Sequence, residues 1–210
     1  MISKLKEQIG NRILRRLLPD NFYFKQPGFC PCCERDMEFV AYHSWLRDSL
    51  RCTNCKSIPR NRALIRVLEQ YYPNWTDLSI HESSPSGGGA SARLRRSCSK
   101  YLASQYYPKQ PFGTVIHGFR NENLESQTFP DQVFDIVVTQ DVLEHVYDPA
   151  SVFREIARTL KPGGLIFLEY LLSISTDPLK YGQDAALTAS RILSTSQIST
   201  VILSTRADHQ

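Results

Sequence analysis

The sequence predicts an α/β fold in which a mainly parallel sheet carries helices on both faces, because residues 134–168 read as strand, helix and strand. Residues 134–138 form a short, β-branched apolar run that is typical of a buried strand. Apolar residues at 152–160 then recur at helical spacing, and residues 165–168 form a second apolar run. Two strands joined by a helix within about 35 residues are expected to be parallel, with a right-handed crossover.

The ends of this helix are also marked in the sequence. Asp148 is suited to accept hydrogen bonds from the first backbone N–H groups, and Pro149 suits the first helical position. The Lys-Pro-Gly-Gly sequence at 161–164 is expected to end the helix before the second strand.

The composition excludes several classes of protein. The chain has 210 residues, which is enough for one α/β domain and a small module. Its net charge of +4 is too small to indicate nucleic-acid binding by itself. No stretch approaches the roughly 20 apolar residues of a transmembrane helix, so no membrane span is expected.

The first 27 residues predict an amphipathic, basic helix and a lead-in. The helix, over 1–19, is expected to pack on the domain or to bind a membrane surface or an anionic partner. It lacks the apolar centre and the cleavage site of a signal peptide. Together with six cysteines, this predicts a reducing, cytoplasmic location, with metal-bound or free thiols rather than disulfides.

Four cysteines predict a zinc-ribbon-like module at 28–58. Cys30 and Cys33 form one C-x-x-C pair, Cys52 and Cys55 form a second, and 18 residues separate the pairs. Two such turns complete the tetrahedron of a closed, structural zinc site, so we expect no chemistry at the metal. Cys32 is the surplus thiol. A redox pair and thiols without metal are the alternatives.

A glycine-bearing loop follows the next predicted strand. A helix is expected at 59–72, with Ala63, Leu64, Val67 and Leu68 on one face, and a strand at 78–82. Strand, glycine loop and helix in this order are found where open parallel sheets bind nucleotide-like ligands. An ordinary surface loop is the alternative.

Residues 134–164 resemble the region around and after the fourth strand of class I S-adenosylmethionine-dependent methyltransferases. The similarity is greatest to the small-molecule type with a Leu-Glu-His-Val segment, here at 143–146, and it extends loosely over 77–167. The resemblance implies a Rossmann-like sheet and methyl transfer from S-adenosylmethionine. The acceptor, a small molecule or a macromolecule, is not identified by the sequence.

The resemblance also implies cofactor contacts where the strands end. Glu82 matches the family's acidic residue, whereas Ser84 and Ser86 stand where glycines are usual. Ser104 and Gln105 stand where the superfamily places a ribose-binding carboxylate, and Asn123 replaces an Asp near the adenine. The implied cofactor-binding residues are Glu82, Ser84, Pro85, Gly87, Gly88, Ser104, Gln105, Asn123, Leu124, Gln140, Asp141 and Leu143.

His145 is the candidate catalytic residue. It lies in the segment that faces the transferred methyl group in the family, and an imidazole can accept a proton from a hydroxyl or amine near neutral pH. The alternative is that Glu144 and His145 only shape the pocket. Alignment alone can supply much of the rate enhancement of an in-line methyl transfer.

The domain prediction combines these segments, with a methyltransferase-like domain at 59–172 and an atypical tail at 173–210. The tail is rich in Ser and Thr and does not resemble the family's final strands. We expect one strand at 198–203, low order from about Ser173, and a sheet that ends early. The alternative function is that of a non-catalytic, zinc-binding adaptor protein whose α/β domain holds the cofactor poorly or not at all.

Overall fold

The computed structural model describes residues 23–169 and 201–204. The described residues belong to two compact units, the first containing 23–73 and 86–93 and the second containing 74–85, 94–169 and 201–204. The predictions for the N-terminal helix and for low order in the tail concern residues outside the described part of the chain.

The first unit contains a small antiparallel sheet. Its strands are β1 (Phe24–Cys30), β2 (Arg35–Ala41) and β3 (Arg51–Cys52), in that spatial order. A short helix, α1 (Leu46–Ser49), precedes β3, and a longer helix, α2 (Pro59–Tyr71), follows it. The antiparallel pair of β2 and β3 therefore lies between the two cysteine pairs.

Helix α2 begins at the predicted residue, but its buried face differs from the predicted one. Ile65 is fully buried between Leu64 and Leu68, whereas Ala63 is exposed. The physical reason is Arg62, which is buried and donates hydrogen bonds to the carbonyl oxygens of Leu50 and Ser57. These long-range bonds fix the rotation of the helix, and sequence spacing does not reveal them.

The second unit is built on a seven-stranded sheet, so the predicted, mainly parallel Rossmann-like sheet is confirmed. The spatial order is β10-β9-β8-β4-β5-β7-β6, and only β6 and β7 pair antiparallel. The strands are β4 (Ile80–Ser83), β5 (Tyr101–Gln105), β6 (Val115–Ile116), β7 (Phe119–Asn121), β8 (Phe134–Gln140), β9 (Leu160–Glu169) and β10 (Val201–Ser204). The remaining described α-helices are α3 (Gly89–Ser97) and α4 (Pro149–Thr159).

Strand β8 lies inside the sheet, as its apolar sequence predicts. It pairs with β4 on one side and β9 on the other, and Ile136, Val137 and Val138 are almost fully buried. A strand with such a run needs cover on both faces. On one side a hydrophobic core joins β8 and β9 to α4; it contains Leu124, Phe129, Phe134, Val137, Leu143, Val152, Phe153, Ile156, Leu160, Ile166 and Leu168.

Helix α4 has the predicted start. Asp148 accepts a hydrogen bond from the Ala150 backbone N–H at 3.0 Å, and Pro149 occupies the first helical position. Apolar side chains on one face of the helix enter the core described above. No helix in the described part of the chain is long and apolar enough to cross a membrane.

Strand β9 begins earlier than the predicted residue 165. Leu160 already pairs with Phe134, the register is then interrupted, and pairing resumes with Leu165 opposite Ile136. The Lys-Pro-Gly-Gly segment lies in this irregularity, where the Lys161 ammonium binds both carboxylate oxygens of Asp135 at 2.8 Å. The segment therefore interrupts the pairing of a strand instead of joining a helix to one.

The C-terminal strand is part of the sheet. The strand predicted at 198–203 is found at Val201–Ser204, where it runs parallel to β9 and forms one edge. In the described part of the chain no strand pairs with the outer side of β10, so the expectation that the sheet ends early stays a prediction. Residue alternation could not reveal the pairing of β10 with β9, because a parallel partner is reached through a long connection.

His81 is a fully buried histidine in the interior of β4. Its Nε2 lies 2.8 Å from the Ser104 hydroxyl, and its ring stacks on Phe134 with centroids 5.0 Å apart. Burial, with the Arg120 charge as a second cause, lowers the pKa of His81 from 6.5 to about 3. The imidazole is therefore neutral in the folded chain at neutral pH.

This burial predicts a pH dependence of stability. Between pH 6.5 and 3 the unfolded chain carries a proton on His81 that the folded chain lacks, so the free energy of unfolding falls as the pH falls. The limiting slope from one group is about 1.4 kcal/mol per pH unit. Urea unfolding of wild type and His81→Gln between pH 7 and 4.5 measures it. We expect a shallower slope for the variant, and parallel curves would contradict the assignment.

Candidate functional site

Four cysteine side chains of the first unit converge on one point. The Sγ atoms of Cys30, Cys33, Cys52 and Cys55 all lie within 4.8 Å of one another. The Sγ atoms of Cys30 and Cys55 are 3.8 Å apart, and those of Cys33 and Cys52 are 3.7 Å apart. A tetrahedron with Zn–S distances of about 2.3 Å has edges of about 3.8 Å. The donor set and its spacing therefore fit a zinc ion.

The surplus thiol, Cys32, stands outside this cluster. Its Sγ lies 3.8 Å from the carbonyl oxygen of Asn61 in α2. Burial, followed by the charges of Cys30 and Cys55, raises the pKa of the Cys32 thiol far above its ordinary value. Cys32 is therefore a buried thiol of the module interior, separate from the candidate ligands.

The loop after β3 surrounds the cluster with polar groups. The side-chain amide of Asn54 donates to Cys33 Sγ at 3.4 Å, and the Ser57 hydroxyl lies 3.2 Å from Cys55 Sγ. The Arg62 guanidinium donates a hydrogen bond to the Ser57 carbonyl oxygen in the same loop. Such outer contacts orient thiolate ligands and moderate their charge.

A cleft in the second unit lies at the carboxyl ends of the parallel strands. Ser83 in β4 is the register partner of Ser104 in β5 and of Thr139 in β8, so the three strands end within one residue of the same level. The lining residues come from the ends of β4 and β5, from the segments that follow β4, β5 and β8, and from residues 122–125 after β7. They are Ser83, Ser84, Ser104, Gln105, Tyr106, Glu122, Asn123, Leu124, Glu125, Asp141, Val142, His145, Val146 and Tyr147.

Half of the residues implied by the resemblance line this cleft. Those that do are Ser84, Ser104, Gln105, Asn123, Leu124 and Asp141, and the catalytic candidate His145 joins them. Gln140 is the last residue of β8, Pro85 follows Ser84, and Leu143 belongs to the hydrophobic core. Gly87 and Gly88 belong to the first unit.

Glu82 is buried and does not line the cleft. Its carboxylate accepts a hydrogen bond of 2.6 Å from the Tyr101 hydroxyl. Burial, followed by the Glu82 charge, raises the pKa of Tyr101, so the phenol remains a donor at physiological pH. The cofactor role that the resemblance implies for Glu82 stays a prediction.

Two lining residues have a backbone conformation that L-amino acids rarely adopt. Ser84, directly after β4, has φ of 49°, and Asp141, directly after β8, has φ of 52°. The left-handed region is costly for residues other than glycine, and such residues cluster at functional sites. The positive φ at Ser84 also explains why glycine is usual at this position in the family that the sequence resembles.

Sequence reasoning missed half of the lining. The missed residues are Ser83, Tyr106, Glu122, Glu125, Val142, Val146 and Tyr147. Ser83 and Tyr106 lie at or directly after strand ends, so the position of those ends could have indicated them. Glu125 has no sequence signal, since it lies in a polar loop whose fold depends on distant groups.

Glu122 is a buried carboxylate on the floor of the cleft. It accepts hydrogen bonds from Arg120 Nε at 2.7 Å, from the Thr128 backbone N–H at 2.8 Å and from the Thr128 hydroxyl at 2.6 Å. Arg120 in turn lies over the ring of Phe129, 4.9 Å from its centroid. A buried charge is tolerated only with such pairing, so this network fixes the loop that follows β7.

Glu125 connects two sides of the cleft. Its backbone N–H donates to the Asn123 side-chain oxygen at 3.0 Å. Its carboxylate accepts from the backbone N–H groups of Tyr147 at 2.5 Å and Asp148 at 2.6 Å. The loop that carries Asn123 and the segment that carries His145 are therefore held together by one side chain.

His145 lies in a short 3-10 helix, Leu143–His145, after β8. Its imidazole is exposed and lines the cleft. The backbone N–H of His145 donates to the Val142 carbonyl at 2.9 Å, which fixes the turn. An accessible ring on a fixed backbone can exchange a proton with a molecule in the cleft.

A comparison with known families finds a similarity over part of the chain. The family described as "Methyltransferase domain" matches residues 92–168. The matched residues, 92–168, are similar to a methyltransferase domain. The match confirms the resemblance to class I S-adenosylmethionine-dependent methyltransferases. It includes β5 to β8 and all of β9 except its last residue.

Similar proteins share only a part of the chain. An uncharacterized methyltransferase of Schizosaccharomyces pombe is 39% identical over 71 residues, which are 33% of this chain and 26% of that protein. The ubiquinone biosynthesis O-methyltransferase of Aeromonas salmonicida is 47% identical over 60 residues, 29% of this chain and 23% of that protein. The chain thus spans about a quarter of the length of these curated relatives.

Solved structures include a similar S-adenosylmethionine-dependent methyltransferase from Mesorhizobium loti. Its sequence is 23% identical, the TM-score is 0.37, and the similarity covers 49% of this chain and 50% of that chain.

The contacts of Glu125 predict a measurable role in the second unit. Glu125→Ala removes the acceptor of two backbone N–H groups, so the amides of Tyr147 and Asp148 should exchange with solvent at least about tenfold faster. Hydrogen exchange resolved by residue measures this. Glu144→Ala, which removes an exposed carboxylate from the 3-10 helix next to His145, is the control. Equal exchange in both variants would show that the carboxylate does not hold the segment.

Proposed function

We propose that the chain is an S-adenosylmethionine-dependent methyltransferase whose first unit holds one structural zinc on Cys30, Cys33, Cys52 and Cys55. The observation that carries the proposal is the cleft at the carboxyl ends of β4, β5 and β8. Open parallel sheets bind their ligands at this edge, and the cleft contains six residues at positions implied by the resemblance.

The polar groups of the cleft support a polar ligand. Ser83 is 3% exposed, and its hydroxyl has no hydrogen-bond partner among the described residues. A buried hydroxyl without a partner costs free energy that a ligand with donors and acceptors can restore. When bound, S-adenosylmethionine supplies a methyl group activated by attachment to a positively charged sulfur.

Individual side chains have distinct roles in this proposal. Gln105 binds the ribose hydroxyls through neutral hydrogen bonds. Asn123 uses its side-chain oxygen to hold the Glu125 N–H, which leaves its NH₂ group for the edge of the adenine. His145 accepts a proton from the hydroxyl or amine of the acceptor, and Glu125 positions the segment that carries it.

We also propose a reducing, cytoplasmic location for the chain. All six cysteines are free thiols in the structure, and four of them form the candidate zinc site, which requires reduced sulfur.

A zinc-binding adaptor protein without methyltransferase activity is the second candidate. Neutral Ser104 and Gln105 favour it, because both stand where the superfamily has a carboxylate. Calorimetric titration with S-adenosylmethionine separates the candidates, since an adaptor gives no saturable heat. A tritiated-methyl transfer assay on fractionated cell extract then identifies the acceptor of the enzyme.

The cofactor assignment predicts the effect of restoring a carboxylate. Gln105→Glu should bind S-adenosylmethionine about fivefold more tightly, because a charge-assisted hydrogen bond is stronger than a neutral one by about 1 kcal/mol. Gln105→Ala should bind it about fivefold more weakly, since it removes the neutral bond. Calorimetric dissociation constants measure both. Identical constants for the three proteins would remove Gln105 from the site.

The metal assignment predicts a contrast between adjacent cysteines. Cys33→Ser should lose the zinc, because an alcohol is a poor fourth ligand, whereas Cys32→Ser should retain one zinc per chain. Elemental analysis of the purified proteins measures the content. Zinc loss in Cys32→Ser with retention in Cys33→Ser would assign the first pair differently.

A further inference from the structure

The glycine segment, defined as residues 86–89, is bound to the second cysteine pair of the same unit. The Gly89 backbone N–H donates a hydrogen bond of 3.2 Å to the carbonyl oxygen of Cys55. A Cβ atom on Gly88 would lie only 2.8 Å from that same oxygen. Gly88 is therefore required for close contact with the backbone of a candidate metal ligand.

Gly89 has two further reasons to be glycine. Its φ is +58°, and a Cβ atom there would lie 2.9 Å from the side-chain oxygen of Asn61. That oxygen cannot withdraw freely, because it accepts the Ile58 backbone N–H at 3.2 Å. Gly87 differs, since a Cβ atom there would have nothing within 4 Å. Of the three glycines, two are thus required by packing on the module.

Helix α3, which continues the glycine segment, is tied to the first cysteine pair. Arg93 forms an ion pair of 2.6 Å with Glu34 and a longer one of 3.5 Å with Glu69 in α2. Glu34 directly follows Cys33, and its backbone N–H donates to the Cys30 carbonyl at 2.8 Å. The turn that presents Cys30 and Cys33 is thus also the turn that holds Arg93.

We propose that the metal site anchors the glycine segment, so that zinc binding to the four cysteines fixes the backbone of residues 86–93. Two predicted cofactor residues, Gly87 and Gly88, lie in this segment, and for their role the inference rests on the proposed function. The free energy of binding a structural zinc is also folding free energy of the module that supplies its ligands. Ordering of the two turns therefore orders the Cys55 carbonyl and Glu34, to which residues 86–93 are bound.

The anchor is tested without cofactor by hydrogen exchange on the full chain, with zinc and after removal of zinc by a chelator. We expect amides in 86–93 to lose protection together with those of 52–57, by at least about tenfold in rate. Amides of β8 should be unchanged and serve as the internal reference. Unchanged protection of 86–93 after loss of protection at 52–57 would overturn the proposal.

Two glycine variants give a matched comparison. Gly88→Ala places a methyl group against the Cys55 carbonyl, so zinc affinity should fall by at least about tenfold. Gly87→Ala adds the same group in open space, so zinc affinity should stay within about threefold of wild type. Competition with a chromophoric zinc chelator measures both. Protection of β8 amides establishes that the second unit of each variant is folded, and equal zinc affinities in the two variants would overturn the anchor.

The link to the cofactor has its own measurement. S-adenosylmethionine should bind the zinc-loaded wild type at least about tenfold more tightly than the zinc-free protein. Equal affinities in the two states would overturn the link. An absence of binding in both states would instead refute the proposed function, while the exchange and zinc-competition results would still decide whether the metal anchors the segment.

Discussion

The register of three parallel strands is the constraint on which the candidate cofactor cleft depends. Because Ser83, Ser104 and Thr139 are register partners, the chain leaves β4, β5 and β8 within one residue of the same level. The ends of these strands and the loops after them supply most of the lining of the cleft. A slip of one residue in β8 would turn Val137 and Val138 to the opposite faces and remove this alignment.

Local signals in the sequence predict the frame of this structure well. The apolar run of β8, the Asp148-Pro149 start of α4 and the two cysteine pairs each depend on neighbours within a few residues. Elements set by distant contacts are different. The rotation of α2 follows from Arg62 bonds to Leu50 and Ser57, and the early start of β9 follows from its pairing with Phe134. Neither set of partners can be identified from residue spacing.

The same limit applies to the candidate site. Strand ends indicate Gln105 and Asp141, because residues that leave a parallel sheet at its carboxyl edge face the ligand side. Glu125 could not be found in this way, since its importance comes from two backbone N–H groups more than 20 residues away in sequence. The glycines are ambiguous for a related reason. A glycine meets a need for space or for positive φ, and the sequence does not say whether a ligand or another part of the chain creates that need.

Ser84 and Gly88 illustrate how these two needs are divided. Ser84 has the left-handed conformation that glycine adopts at no steric cost, and it accepts that cost at the edge of the cleft. Gly88 has no Cβ atom because the Cys55 carbonyl occupies that space. The loop therefore departs from the family's glycine pattern at the strand end and keeps glycine where the metal module requires it.

Unsatisfied polar groups show that the cleft is maintained at some expense of stability. The hydroxyls of Ser83 and Thr139 are buried, are register partners, and have no hydrogen-bond partner among the described residues. Each such group typically costs about 1–3 kcal/mol relative to a satisfied one. Apolar side chains at these positions would avoid that cost and extend the core of β4 and β8. Of the two residues, only Ser83 lines the cleft, so a polar ligand that hydrogen-bonds to its hydroxyl can offset the free-energy cost of that group. The hydroxyl of Thr139 stays within the sheet.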